Sequence, residues 1–434
     1  MKVFVSILLC YCFSALTAQS LSSNQNSALL FCSYLQQNKL DSAYDFFDPK
    51  AKNQMSKSLF EGTWNPIIQK LGILERYSLS LQNDEMNPSV IIIYCEFSQN
   101  KIDMKIPFSE ANKILGFAFL PHKKKEQVYY STPNYDNPKK YTEENTSIKG
   151  EITLPAILTI PKNQKQFPIA ILIHGSGPND KDETFGPNKI FKDIAIGLAI
   201  NGIASIRYDK RTFISKSMDT VTIEKEVMND VVSAIKYIET NEELKGRKIY
   251  LIGHSLGAIL APSIGLDNSS VSGVICMAAS PRSMEMVMLD QVTYLARIDS
   301  TISSSEKDQI RHLTGQIDYL QDSLSIESPS SELPMGIPAS YWHSLKRYNF
   351  EKAIQTIQKP LFIIQGERDY QVTMSDFDAI KNIVLINPYA TLKSYPKLNH
   401  MFLEGNRPSV PDEYYIPSNI PYYLIHDLSE WIKQ

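Results

Sequence analysis

The chain has 434 residues, 43% hydrophobic and 21% charged, which is enough to bury a large core and more than one ordinary domain needs. Its 44 lysines and arginines against 47 aspartates and glutamates leave a formal charge of -3, so no basic excess exists to neutralise phosphates and no nucleic-acid partner is expected. With 18 glycines and 24 prolines, a collagen-like or low-complexity chain is also excluded.

Met1 and Lys2 open a short positive start, followed by the apolar run Val3–Leu9 and the small residues Ser14, Ala15, Thr17 and Ala18. This is the three-part layout of a secretory signal peptide over residues 1–18, cut after Ala18, although Leu16 at the −3 position is not small. Cys10 and Cys12 lack a small residue just before them, which argues against a lipid-anchored cysteine. No other stretch reaches the roughly 18 apolar residues of a membrane span. The mature chain is expected to be exported, periplasmic or extracellular. Only Cys32, Cys95 and Cys276 survive cleavage, too few for a disulfide framework. All three are expected as core thiols, with a Cys32–Cys95 bridge as the alternative for that pair.

From Asn24 to about Leu120, helices come first and strands second. Ala28, Leu29, Phe31, Cys32 and Leu35 recur at helical spacing, as do the apolar residues of Leu59–Leu71 around Trp64. Strands are predicted at Tyr77–Gln82, Val90–Phe97, Ile102–Phe108 and Ile114–Phe119, with Asn83–Pro88 and Gln99–Asn100 as turns. Residues 19–120 therefore read as a small α+β domain. It holds no cluster of titratable side chains with an evident chemistry. Residues 121–140, with Lys123, Lys124, Lys125 and three prolines, read as a solvated linker.

Residues 141–434 have a different rhythm. A hairpin, Thr142–Lys149 with Glu151–Ile160, precedes strands at Pro168–Ile173, Ile203–Tyr208, Lys248–Ile252, Val271–Ala278, Pro360–Gln365 and Thr391–Ser394. Helices are predicted between and after them, at Phe191–Ile200, Val221–Thr240, Ser255–Leu266, Thr373–Ile383 and Leu424–Lys433. Such alternation gives an α/β fold, a mostly parallel, doubly wound sheet covered on both faces. The alternation breaks over about 281–358, where polar helix-forming sequence such as Ser305–Asp322 marks a cap insertion. Met284, Met286, Met288 and Leu289 within it are candidates for an acyl pocket, or else core filler.

The chemistry gathers at the ends of the predicted strands. Lys248–Ile252 runs into Gly253-His254-Ser255-Leu256-Gly257 just before a helix. A Gly-x-Ser-x-Gly turn in that setting thrusts the serine above the sheet, with glycines where side chains would collide. Ser255 is thus the candidate nucleophile, and a serine hydroxyl needs a base held by a third group. The strand at Leu361–Ile364 leads to Asp369, the candidate acid, with Glu367 and Asp376 as alternates. The last strand leads to His400, the candidate base; His426 falls inside the closing amphipathic helix. After the first buried strand, His174-Gly175-Ser176-Gly177 forms a small-residue loop, and the amides of Ser176 and Leu256 are the candidate oxyanion donors. His174 is expected to orient that loop. Asp180, Asp182 and Glu183 read as a solvated loop. With seven dispersed histidines and no Gly-x-Gly-x-x-Gly segment, neither a metal nor another cofactor is expected.

Through His174–Gly177, Gly253–Gly257, Asp369 and His400, residues 140–434 resemble the α/β-hydrolase superfamily. More narrowly, the chain is similar to two-domain bacterial carboxylesterases of the dienelactone-hydrolase and prolyl-oligopeptidase neighbourhood, several of which carry a small α+β domain first. His174–Asp180, Arg207-Tyr208-Asp209-Lys210-Arg211, Gln365–Val372 and Leu398-Asn399-His400 carry the local match. The resemblance implies a nucleophilic Ser255, an Asp369–His400 relay and small-molecule ester substrates. Peptidase or amidase action on small substrates, or a non-catalytic binding protein on this scaffold, are the alternatives. Thr212 and Ile214 stand where many relatives have glycine, so the loop after Arg207–Asp209 is expected to differ in shape, while Arg207 and Asp209 are expected to support the site loops.

Overall fold

The computed structural model describes residues 23–80, 89–109, 111–122, 129–215, 221–298, 302 and 304–434. The expected signal peptide, the turn at 83–88 and the lysines at 123–125 lie outside the described residues. The described chain forms two compact units, one over residues 23–122 and the other over residues 129–434.

In the first unit, helices α1 (Ser23–Gln36), α2 (Leu40–Tyr44), α3 (Pro49–Gln54) and α4 (Lys57–Leu71) precede the strands β1 (Leu74–Leu79), β2 (Val90–Phe97), β3 (Lys101–Pro107) and β4 (Ala118–Pro121). The strands pair antiparallel in sequence order. Helix α4 begins where the Ser56 hydroxyl accepts the Leu59 amide at 3.3 Å and ends at Gly72, whose φ of 83° suits glycine. Its buried face carries Phe60, Trp64 and Leu71, spaced four and seven apart. Phe47 and Phe60 meet edge to face at 5.3 Å, within a core that also encloses Cys32 and Cys95. Both thiols are free, as is the buried Cys276 of the second unit. The last strand is shorter than its sequence implied. Gly116 interrupts the apolar run, and Ile114 makes only isolated bridges to Phe47 and Phe108.

The second unit is built on an eight-stranded sheet. Its first strands are β5 (Tyr141–Lys149), β6 (Thr153–Pro161) and β7 (Ile169–Ile173), followed by a two-residue ribbon of β8 (Thr184–Phe185) and β9 (Asn188–Lys189). The remaining strands are β10 (Ala204–Tyr208), β11 (Ile249–His254), β12 (Val271–Met277), β13 (Leu361–Gly366) and β14 (Ala390–Tyr395). The order across the sheet is β14-β13-β12-β11-β7-β10-β6-β5, parallel except for the β5–β6–β10 edge. Strand β7 shows why its sequence is apolar throughout. Ile169, Ile171 and Ile173 enter one core while Ala170 and Leu172 enter the other.

Helices α5 (Ile190–Ile200) and α14 (Tyr422–Lys433) fill one of those cores, with α14 the last element of the chain. The other is filled from α7 (Asn229–Thr240), α8 (Leu256–Asp267) and α13 (Met374–Ile383). The chain after β10 forms a five-residue helix, α6 (Arg211–Ser215), which Thr212 and Ile214 permit where glycines would favour an open turn. The expected continuous helix at Val221–Thr240 instead opens with a π-helical segment, Glu224–Met228.

The insertion after β12 folds as α9 (Met284–Arg297), α10 (Ser304–Asp322), α11 (Ala339–Leu345) and α12 (Phe350–Thr356). Met288 is buried in the core, Met284 and Leu289 pack against it, and Met286 is exposed. Among the described residues no helix is long and apolar enough to cross a membrane. The C-terminal part of the expected linker is not free chain. Tyr130 donates to the Asp193 carboxylate of α5 at 2.7 Å, and Tyr135 to the Asp193 carbonyl at 3.4 Å.

Candidate active site

Strand β11 delivers Gly253–Gly257 into the start of α8. Ser255 has φ 52° and ψ −114°, backbone values that a serine adopts only when its surroundings enforce them. Its amide donates to the Met277 carbonyl of β12 at 2.9 Å, and its carbonyl accepts the Ile259 amide at 3.1 Å. Space dictates the flanking residues. A Cβ on Gly253 would lie 2.2 Å from the Gly257 oxygen, and one on Gly257 2.2 Å from the Ile173 oxygen. Ser255 therefore stands at the N-terminus of α8, where Leu256 opens the helix and amides lack intrahelical acceptors.

Two strands further along the sheet, the loops after β13 and β14 bring Asp369 and His400 together. His400 Nδ1 lies 2.7 Å from Asp369 Oδ2, and because a carboxylate accepts, this nitrogen carries a proton; in the neutral ring Nε2 is then the accepting nitrogen. Asp369 is fixed on every side. Its Oδ1 accepts the amides of Gln371 and Val372 at 2.8 and 3.0 Å, and its Oδ2 also accepts Gln365 Nε2 at 3.0 Å. Gly366 permits the approach, since a Cβ there would meet the Leu398 oxygen at 2.5 Å. Asn399 shapes the histidine loop, its Oδ1 accepting the amides of Met401 and Leu403, both at 3.0 Å.

The alternates are committed elsewhere. Asp376 forms a capping box with Thr373 at the start of α13 and pairs with Arg282 at 2.7 Å. Glu367 is exposed and accepts the Ser394 hydroxyl at 2.7 Å. His426 lies in α14 against the Tyr422 ring.

The 174–177 loop abuts the serine. A Cβ on Gly175 would lie 3.2 Å from the Cβ of Ser255, placing Ser176 in the same neighbourhood as Leu256. His174 supports the loop from below as a neutral ring. Its Nε2 donates to the Asp180 carbonyl at 3.0 Å, its Nδ1 is buried without a partner, and Phe191 and Tyr208 rings enclose it. Burial pushes its pKa down to about 4.

The expected solvated loop at 180–183 is a difference with consequences. Asp182 and Glu183 are buried. Asp182 pairs with Arg207 and Lys189, each at 2.8 Å. Glu183 Oε1 accepts the Gly175 amide at 2.7 Å and lies 3.1 Å from His254 Nδ1, while His254 Nε2 donates to the His400 carbonyl at 2.9 Å. Burial works against the His254 imidazolium, but the Glu183 carboxylate outweighs it and raises the pKa above the ordinary value. Burial likewise works against the Glu183 carboxylate, and His254 reverses it, holding that pKa below its usual range. One buried ion pair thus joins the serine turn, the 174–177 loop and the histidine loop. The signal in the sequence was His254 itself, a polar side chain at the end of a buried strand that required a partner.

A cavity of about 590 Å³ is lined by Tyr294, Asp369, Tyr370, Lys397 and Arg407, among others. Neither Ser255 nor His400 lines it, so it is not where a bond at Ser255 would sit. Among the described residues no group of three or more His, Cys, Asp or Glu side chains is placed to hold a metal ion.

Residues 188–406 match the family described as Serine aminopeptidase, S33. The chain belongs to this family of α/β hydrolases. The chain is also 31% identical over 406 residues to Esterase EstD of Thermotoga maritima, spanning 93% of this chain and 94% of that one. Residues 28–117 match a family of proteins of unknown function, DUF3887. Among solved structures, Est1E from Butyrivibrio proteoclasticus is similar at TM-score 0.43 and 16% identity, over 67% of this chain and 99% of that one. An esterase from Pyrococcus furiosus is similar at TM-score 0.45 and 14% identity, over 71% of this chain and 98% of that one.

Proposed function

We propose that this chain is an exported serine hydrolase that cleaves small carboxylic esters through an acyl-enzyme on Ser255, with residues 1–18 removed as its signal peptide. The observation that carries the reading is Ser255 held at φ 52° at a helix N-terminus, on the sheet whose later loops carry the 2.7 Å His400–Asp369 pair. His400 Nε2 takes the hydroxyl proton as Ser255 Oγ attacks the ester carbonyl, and the amides of Ser176 and Leu256 receive the developing oxyanion. Collapse of the tetrahedral intermediate expels the alcohol, which takes the proton from Nε2. Water then gives a proton to Nε2 and attacks the acyl-enzyme, and the carboxylic acid leaves as Ser255 recovers its proton. Asp369 holds the imidazole tautomer and stabilises the imidazolium.

Ester cleavage stands ahead of amide cleavage because the relative similar along nearly the whole chain is named an esterase. Amide cleavage on small substrates is the second reading, favoured by the aminopeptidase description of the family. The same residues would serve it, with His400 protonating an amine leaving group. The full-length protein and its Ser255→Ala and His400→Ala variants should be assayed on p-nitrophenyl esters from acetyl to palmitoyl and on aminoacyl p-nitroanilides. Ester turnover lost in both variants is the expected result, and an exported protein beginning at Gln19 is expected for the leader. Anilide turnover without ester turnover would move the second reading to first place, and inactivity on both would remove the first.

A further inference from the structure

We infer that Lys210 is a positioning residue for ester hydrolysis, tethering the Gly175–Ser176 peptide so that the Ser176 amide faces the oxyanion; the inference rests on the acyl-enzyme reading above. Lys210 follows β10 in the run Arg207-Tyr208-Asp209-Lys210-Arg211 and keeps only 2% of its side chain exposed. Its Nζ donates to the Gly175 carbonyl at 2.8 Å and the Gly177 carbonyl at 3.0 Å, and pairs with Glu226 Oε1 at 3.0 Å. Three acceptors therefore meet the three protons of one ammonium. A buried ion pair is weak evidence for stability, since desolvation offsets most of the attraction. Here two of the three contacts are to backbone oxygens on either side of Ser176.

The geometry of the peptide gives those contacts their effect. The Gly175–Ser176 bond is trans, so its carbonyl and its N–H point in opposite directions. Asn179 Nδ2 donates to the same oxygen at 3.2 Å as a longer, neutral partner; the ammonium supplies the charge that, with it, fixes the direction of the Ser176 N–H and strengthens it as a donor through the polarised amide. The other end of Gly175 is held by Glu183, whose Oε1 accepts its amide at 2.7 Å. Two buried charges of opposite sign thus set one residue whose missing Cβ faces Ser255 at 3.2 Å. The counter-charge is set in turn. Glu226 lies in the π-helical segment, and its Oε2 accepts Tyr341 Oη of the cap helix α11 at 2.7 Å. The cap is thereby linked through Glu226 and Lys210 to the loop beside the serine.

The full-length Lys210→Met variant keeps the aliphatic stem and removes the charge. Its kcat on p-nitrophenyl butyrate is expected to fall about 10- to 100-fold with KM changed by less than about 3-fold, a partial form of losing one oxyanion donor. The inhibition constant of an alkyl trifluoromethyl ketone, which forms a tetrahedral adduct, should rise in step with the loss in kcat/KM. Ile238→Ala, a truncation in the core near the C-terminal end of α7, is the control for stability. It touches neither Lys210 nor the 174–177 loop, so it should lower Tm by a similar amount while holding kcat within about 5-fold of wild type. If Lys210→Met does not fold, Lys210→Gln carries the same comparison: its uncharged amide ends one atom short of the ammonium and so releases the Gly175 carbonyl, while a polar group remains near Glu226. Wild-type kcat in the Lys210 variant, or a kcat loss with an unchanged ketone constant, would overturn the inference. A wild-type protein inactive on esters would instead bring down the acyl-enzyme reading beneath it.

Discussion

The two units bury very different things. The core of the N-terminal unit is aromatic and aliphatic, with Phe31, Phe47, Phe60 and Trp64 at its centre. Its buried polar residues, among those described, are Asp48, Ser80 and Asp103. Asp48 there caps a helix, accepting the Lys50 amide at 2.9 Å. In the second unit Asp182, Glu183, Arg207, Lys210, Glu226, Asp230 and His254 are all buried around the strand ends. Charge costs several kcal/mol to take out of water unless it is paired, so its concentration at one place marks where geometry matters more than net stability. The apolar unit has to fold; the charged layer has to hold loops in register.

The largest expected effect on that contrast comes from Ser255→Ala. Ester kcat/KM should drop by at least about 10⁴-fold while Tm stays close to wild type. A fall in Tm with partial activity would instead place the serine in a structural role.

Glu183→Gln should damage both properties at once, because it leaves His254 buried without its carboxylate. A destabilisation of about 3–5 kcal/mol is expected from denaturant melts, with a lower kcat as the three loops lose their shared contact. The pair's contribution has a pH window. The raised His254 pKa means its share is complete below about 6.5 and is lost as pH rises through the folded value. The lowered Glu183 pKa means its share is complete above about 4.3 and is lost as pH falls through the folded value. The stability gap between wild type and Glu183→Gln should therefore be widest between about pH 4.3 and 6.5. A gap that grows steadily toward alkaline pH would contradict the pair.

On the apolar side, Phe60→Ala should cost about 3–5 kcal/mol in the unfolding of the N-terminal unit, as expected for an aromatic truncated in a closed core. Ester kcat per folded molecule should not move. Loss of kcat in step with this truncation would tie the first unit to the chemistry.

His174 gives the smallest of these effects. Its pKa near 4 in the fold, against about 6.5 unfolded, means the unfolded chain takes up the proton first on acidification. Stability should fall by about 3 kcal/mol between pH 6.5 and 4 from this group. A His174→Asn variant, compared by melts over that range, should show a shallower decline; an unchanged slope would mean the ring is not buried neutral.

Local rules made part of this site legible in the sequence. The Gly253–Gly257 turn declares itself because its glycines answer to steric contacts within a few residues of Ser255. The positions of Asp369 and His400 follow from counting strands. His174, Arg207 and Asp209 read as supports of the site loops and do hold them, but the rest of the supporting layer was not legible, because its partners are far apart along the chain. Glu183 sits in the polar run Asp180–Glu183, which looks like a surface loop until His254, 71 residues later, covers it. Lys210 sits among four charges in five positions and has every appearance of a solvated residue. Its burial depends on Glu226, and a smooth helix at Val221–Thr240 gave no hint of the π-helical segment that carries that side chain. Residues 129–140 look like linker in the sequence for the same reason, since Tyr130 and Tyr135 find Asp193 only in the folded unit.

Ester hydrolysis by Ser255 requires a covalent acyl-enzyme. The full-length protein should be acid-quenched during turnover of p-nitrophenyl butyrate, digested, and its peptides weighed by mass spectrometry. A butyryl group on Ser255 that disappears in Ser255→Ala is expected. Continued turnover with no acylated peptide, or a butyryl group on any other residue, would contradict it.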